Sequence, residues 1–137
     1  MGETPVNIYL DSSAVIYGIE GTDTLRGAVL AWIAKAENSG GVLSTSRISC
    51  LECRILPLRQ GQTELLSRYD EFFLRRSLNL IDIGGAIIDL ATQLHVRYGL
   101  KTPDAIHAAT ALESGAELIL TGDRDMVRIK EIKVELV

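Results

Sequence analysis

The stretch Val6-Asn7-Ile8-Tyr9-Leu10-Asp11-Ser12-Ser13-Ala14 constrains the fold more than any other. A short β-favouring apolar run stops abruptly at a carboxylate and two hydroxyls. Val6 to Leu10 has the length of a buried central strand. Ser12 can cap a helix that starts near Ser13 and continues through Val15, Ile16 and Tyr17. Asp11 is then expected at the carboxyl end of a strand and beside a helix amino terminus, where open α/β sheets bind ligands. The helix dipole tolerates an ionised Asp11 there. A charge at the margin of a core asks for more, and a bound cation would supply it. The competing reading is an ordinary N-capping aspartate on a strand-to-helix turn.

Strands and helices alternate along the rest of the chain. Asp23 or Thr24 can cap a helix from Leu25 to about Asn38, with Leu25, Ala28, Val29, Trp32, Ile33 and Ala36 on one stripe. Val42-Leu43 reads as a short strand. A helix opened by Thr45-Ser46 follows, with Ile48, Leu51, Ile55 and Leu58 as its apolar face and Pro57 removing the partner of the Cys53 carbonyl. Thr63 to Ser77 is an amphipathic helix with Leu65, Leu66, Tyr69, Phe72 and Phe73 inward. Leu78 to Ile83 is a strand and Ala86 to Tyr98 a helix. Thr102-Pro103 is a cap followed by proline at the first helical position, opening a helix to Glu113. Glu117 to Leu120 is a strand ending in Thr121-Gly122-Asp123. A helical turn around Met126 to Ile129 and a strand from Lys133 to Val137 close the pattern. This alternation predicts a mainly parallel sheet with helices on both faces, in a single domain over residues 1–137.

Composition narrows the function. Net charge is −4, which argues against a module that coats nucleic acid through bulk charge. Cys50 and Cys53 have CxxC spacing but fall in mid-helix, away from the amino terminus that activates redox thiols. His95 and His107 lack zinc-finger spacing. Two buried thiols in a reducing compartment are the expectation. No leader and no membrane-length apolar run is visible, so a cytoplasmic chain with no membrane contact is expected.

The carboxylates carry the chemistry. Asp11 and Asp123 end two strands, with Asp125 just beyond the second, and Asp104 lies in the first turn of a helix. If the two strands are parallel neighbours, these groups share one edge of the sheet. Glu52 sits in an apolar mid-helix setting and needs a partner or a metal. Carboxylates drawn together raise one another's pKa and destabilise a fold that lacks a counter-ion. An all-oxygen set suits Mg²⁺ or Mn²⁺, and such an ion suits phosphodiester hydrolysis without a histidine base. Ser13 and Thr121 have hydroxyls near enough in sequence to orient Asp11 or a water. In the alternative reading, Asp104 and Asp123 are helix-end residues and Glu52 pairs with Arg47 or Arg54.

Four motifs, Tyr9-Leu10-Asp11-Ser12-Ser13-Ala14-Val15-Ile16, Ser49-Cys50-Leu51-Glu52, Thr102-Pro103-Asp104-Ala105-Ile106-His107-Ala108-Ala109 and Leu120-Thr121-Gly122-Asp123-Arg124-Asp125-Met126, together resemble the PIN-domain family, in particular its VapC-type toxin ribonucleases. The resemblance implies a Rossmann-like three-layer α/β/α sandwich and a Mg²⁺- or Mn²⁺-dependent endoribonuclease. It also implies an RNA substrate, a homodimer and a VapB-type antitoxin partner. By motif position, Asp11, Glu52, Asp104 and Asp123 would form the acidic site, with Asp11, Asp104 and Asp123 on the metal and Asp125 auxiliary. Met126 departs from the phenylalanine often found there.

Arg47 and Arg54 lie near Glu52 in sequence and could touch RNA phosphates, or form a solvated face. His107 follows Asp104 by one helical turn, but its alanine neighbours favour a packed, structural histidine. Two other functions compete with a nuclease. One is a phosphatase or phosphoacceptor with Asp11 as nucleophile, for which Lys101 is the only nearby lysine. The other is a PIN-like scaffold that binds RNA or a partner with its metal site idle.

Overall fold

The computed structural model describes residues 4–137. Its elements are β1 (Ile8–Leu10), α1 (Ser12–Glu20), α2 (Asp23–Asn38), β2 (Leu43–Ser46), α3 (Arg47–Arg59) and α4 (Thr63–Phe73). They continue with β3 (Leu78–Ile81), α5 (Gly85–Tyr98), α6 (Thr102–Glu113), β4 (Leu118–Thr121), a 3-10 turn (Arg124–Arg128) and β5 (Lys133–Leu136). The sheet has five strands in the order β3-β2-β1-β4-β5, and every pairing is parallel. The expected α/β/α sandwich is therefore the observed one.

The period of two along β1 assigns the layers. Ile8 and Leu10 face a core built with Val15, Val29, Ile33, Cys53 and Tyr69, from α1 to α4. Tyr9 faces the opposite core, with Leu94, Ala105, Ala108 and Met126 from α5, α6 and the 3-10 turn. Residues 8 to 10 are all fully buried, as a strand covered on both faces requires. The chain leaves β1 through α1 and α2 to reach β2 on one side. It reaches β4 on the other side only after α5 and α6. The sheet order therefore diverges between β1 and β4, and that divergence opens a crevice at the carboxyl ends of these two strands.

Local structure departs from the sequence reading at several ends. Asp11, not Ser12, caps α1: its carboxylate accepts from the Ala14 amide, and Ser12 is already helical. Thr22 caps α2. No side chain caps α6, whose opening rests on Pro103 within its first turn. Helix α4 stops at Phe73, and β2 extends to Ser46 because it pairs with β3 as well as β1.

The larger correction is the face of α3. Ser49, Cys50, Cys53 and Pro57 are buried, whereas Leu51, Ile55 and Leu58 are exposed. The face turned to α1 carries small residues. The Cys53 thiol meets the Ser12 carbonyl, and the Ser49 hydroxyl meets those of Ser12 and Thr45. Only with this orientation can Glu52 reach Ser12. The apolar stripe then points outward, over a surface groove of about 350 Å³ shared with Leu66 of α4.

Two glycines test the packing in opposite senses. A Cβ on Gly41 would fall 2.0 Å from the Val6 carbonyl oxygen and 2.5 Å from its carbon, at the approach to β1. Backbone cannot yield there, so Gly41→Ala is expected to cost at least about 2 kcal/mol. Gly27 lies in α2, and beyond its chain neighbours and the helix's own backbone no atom lies within 4 Å of its Cβ position. Gly27→Ala is expected to add about 0.5–1 kcal/mol through helix propensity. Urea unfolding midpoints report both, and equal effects from the two substitutions would contradict this packing.

Candidate active site

Asp11 is fixed by everything around it. Its backbone continues β1, with its amide donating to the Leu120 carbonyl at 3.3 Å. The residue is 3% exposed. Oδ1 accepts from the Ser13 hydroxyl at 2.6 Å and the Ala14 amide at 3.0 Å. Oδ2 accepts a hydrogen bond from the Thr121 hydroxyl at the end of β4. Ser13 in turn accepts from the Gly122 amide at 2.8 Å, and Thr121 from the Asp123 amide at 2.9 Å. A ring of hydroxyls and amides thus ties the ends of β1 and β4 together around one carboxylate. Such bonds fix the direction of the carboxylate.

The crevice above this ring holds about 290 Å³ and is lined by Asp11, Ser12, Ser13, Ile16, Glu52, Asp104, His107 and Asp123. All four predicted carboxylates share it, and no lysine or arginine lines it. Asp123 uses Oδ1 to accept from the Asp125 amide at 2.9 Å, capping the 3-10 turn. Asp104 projects from the first turn of α6. Burial, a hydrogen bond shared with Asp123 and the charges of Asp123 and Asp11 push its carboxyl up to about 6. Its Oδ2 is buried with no hydrogen-bond partner.

Glu52 takes neither expected arginine. Its Oε1 accepts from the Ser12 hydroxyl at 2.6 Å and faces His107 Nε2 at 2.9 Å. Against the cost of burial, the bonds from His107 and Ser12 hold this carboxyl below its ordinary value, so it is ionised. The second ring nitrogen of His107, Nδ1, lies 2.6 Å from the Tyr9 hydroxyl. His107 is 1% exposed, which accords with the structural reading and removes it from direct contact with a large substrate.

Other predicted residues lie apart. Arg47 pairs with Asp82 at 2.7 Å, and Arg54 with Asp70 at 3.5 Å and with the Cys50 carbonyl at 2.8 Å. Neither lines the crevice. Asp125 pairs with Arg128 at 2.9 Å. Lys101 is exposed and outside the lining, so the lysine a phosphoacceptor site would use is missing from it. Cys50 and Cys53 are free and buried, as expected. The sequence reading missed Ser12 and Tyr9 as parts of the site. Ser12 was legible as a hydroxyl next to Asp11, whereas Tyr9 sits inside an apolar run and gives no polar signal.

Among the described residues, no three histidine, cysteine, aspartate or glutamate side chains are grouped tightly enough to enclose a metal ion as they stand. The oxygens explain why. Asp11 spends both on two hydroxyls and an amide, and Asp123 turns Oδ1 to the Asp125 amide. The donor chemistry still fits a hard cation: carboxylate oxygens around one crevice, with Asp104 Oδ2 left unbonded.

The sequence matches the PIN domain over residues 8–132, and no curated protein matches it. Among solved structures, a toxin–antitoxin complex from Klebsiella pneumoniae is similar at 23% identity and TM-score 0.70, over 92% of this chain and 95% of that chain. VapBC2 from Rickettsia felis, bound to a DNA fragment from its promoter, is similar at 19% identity and TM-score 0.74, over 95% and 98% of the two chains. VapC20 of Mycobacterium tuberculosis, a toxin that cleaves the sarcin–ricin loop, is similar at 19% identity and TM-score 0.71, over 88% and 92%. At these identities the structural likeness is one of fold. The match to the domain spans nearly the whole sequence: the chain belongs to the PIN domain family.

Proposed function

We propose that this protein, as a single nuclease domain over residues 1–137, is a Mg²⁺- or Mn²⁺-dependent endoribonuclease and the toxin of a type II toxin–antitoxin pair. The observation that carries the reading is the buried, unbonded Asp104 Oδ2 in a crevice shared with Asp11, Glu52 and Asp123. In this reading Asp11, Asp104 and Asp123 hold the divalent ion, which supplies Lewis acidity toward a phosphodiester and acidifies a water. Ser13 and Thr121 keep Asp11 aimed, and the Asp125 amide does the same for Asp123. Glu52, ionised at the crevice wall, takes the proton from the attacking water. The similarity to VapBC2 and to a sarcin–ricin-cleaving toxin favours RNA as substrate and a VapB-type antitoxin as inhibitor. A groove of about 330 Å³ between α1, α2 and α4, lined by Val15, Ile19, Ile33 and Phe72 and by the charged Arg68, Glu71 and Arg75, suits an amphipathic segment of such a partner. The outward stripe Leu51, Ile55 and Leu58 suits a homodimer contact. No helix among the described residues is long and apolar enough to cross a membrane.

Cleavage of labelled RNA tests the activity. Wild-type protein is expected to cut with Mg²⁺ or Mn²⁺ and to stop in excess EDTA. Asp11→Asn is expected to abolish cutting with the fold retained, and Glu52→Gln to lower kcat by about 100-fold or more. Full activity in EDTA or in Asp11→Asn would contradict the reading.

Stability against pH tests the crowding of carboxylates. Asp104 is pushed up to about 6 from an ordinary 3.8, so the folded protein binds its proton more tightly than the unfolded chain does. The stability this confers is full below about pH 4 and is lost as pH rises through about 6. In metal-free protein at pH 8, Asp104→Asn is therefore expected to raise stability by about 1 kcal/mol, since solvent reaches and screens part of the charge. The gain should vanish near pH 4. A loss of stability at pH 8 would show that the carboxylates do not repel.

A further inference from the structure

A chain of buried hydrogen bonds runs behind the crevice and ends on Glu52. Tyr9 of β1 is fully buried, and its hydroxyl lies 2.6 Å from His107 Nδ1. The far side of the same ring meets Glu52 Oε1 at 2.9 Å and Ser12 Oγ at 3.0 Å. Ser12 reaches Glu52 Oε1 at 2.6 Å.

The hydrogens on this chain can be assigned by counting. Ser12 has one hydrogen, and its shortest acceptor is the charged Oε1. Tyr9 carries its hydroxyl hydrogen at neutral pH, as a phenol does, and His107 Nδ1 is the partner its hydroxyl meets. With a single hydrogen on the ring, the phenol donates to Nδ1 and the ring hydrogen, on Nε2, faces the carboxylate. Both bonds to Glu52 fall on the same oxygen, Oε1, which leaves Oε2 without one of them. The carboxylate is thus held by one oxygen while the other is spare. That is the arrangement a proton acceptor needs if it is to meet a water in a set direction.

We infer that His107 is a positioning residue that carries a hydrogen on Nε2, is fixed by Tyr9, and orients Glu52 through Oε1 so that Oε2 serves the attacking water. The inference rests on the nuclease reading above and deepens it. His107 does its work behind the wall of the crevice: its side chain is 2% exposed, against 30% for that of Glu52. It arrives by the topology, since β1, α1, α3 and α6 each contribute one member of the chain. The same strand end therefore aims two carboxylates, Asp11 directly and Glu52 through Tyr9 and Ser12. Groups behind a catalytic residue that set its direction are commonly worth 10–100-fold in activity, an order-of-magnitude guide for this site.

Steady-state cleavage and imidazole nitrogen NMR of the full chain test this together. His107→Leu, which fills the space without a donor, is expected to lower kcat by about 10-fold or more with KM unchanged. His107→Gln, which keeps an N–H near the Nε2 position, is expected to recover most of the loss. In wild-type protein at neutral pH the His107 ring is expected to show a hydrogen on Nε2 and none on Nδ1. Tyr9→Phe, which removes only the phenol oxygen, is expected to abolish that fixed state, and it serves as the variant if His107→Leu does not fold. Wild-type kcat in His107→Leu, equal losses in His107→Leu and His107→Gln, a hydrogen on Nδ1, or an unchanged ring spectrum in Tyr9→Phe would each overturn the inference. A wild-type protein that cuts no RNA would defeat the nuclease reading instead, and the ring spectrum, which needs no activity, would still decide the hydrogen-bond chain.

Discussion

The Asp11 carboxylate joins the two halves of this molecule. It is at once the cap of α1, the acceptor for Thr121 of β4 and a wall of the acidic crevice. Local helix chemistry alone would be satisfied by one oxygen. Here the second oxygen reaches across to the neighbouring strand, so the cap also pins the crevice open at the point where the sheet order diverges. The cap reading and the site reading of Asp11 are therefore two descriptions of one geometry. Serine or asparagine could cap the helix, but neither would bring a fixed negative charge to this edge.

That charge has a cost spread over its neighbours. Asp104 is the group that shows it, raised by burial and by Asp123 and Asp11. Asp11 is bonded by two hydroxyls and an amide, Glu52 by His107 and Ser12, and Asp123 by an amide of its own turn. Only Asp104 keeps a buried oxygen with no bond. The fold gives partners to three carboxylates and leaves the fourth with a bare oxygen, where the proposed divalent ion is assigned. Sites of this kind trade stability for readiness to bind.

Much of this was legible in the residues, and the exceptions have physical causes. The apolar run ending at Asp11 and the pair Thr121 and Asp123 each mark a strand end, and parallel order brings the two together. Asp104 was legible because Thr102-Pro103 marks a helix start. The outward face of α3 was not. A hydrophobic period signals burial against whatever is available, and here the small Ser49 and Cys53 are the side chains that meet Ser12 of α1. The same close approach decides the partner of Glu52: Arg47 and Arg54 turn to Asp82 and Asp70, and Glu52 turns to Ser12 and His107. Tyr9 could not be recognised from sequence, because its role depends on an imidazole that lies 98 residues away.

The central claim is that the crevice is built around a divalent cation. Anomalous diffraction from a crystal soaked in Mn²⁺ tests it most directly. The account predicts one strong manganese peak within coordination distance of Asp104 Oδ2 and of carboxylate oxygens from Asp11 and Asp123. Full manganese saturation with no peak in the crevice, or a peak held elsewhere on the surface, would contradict it.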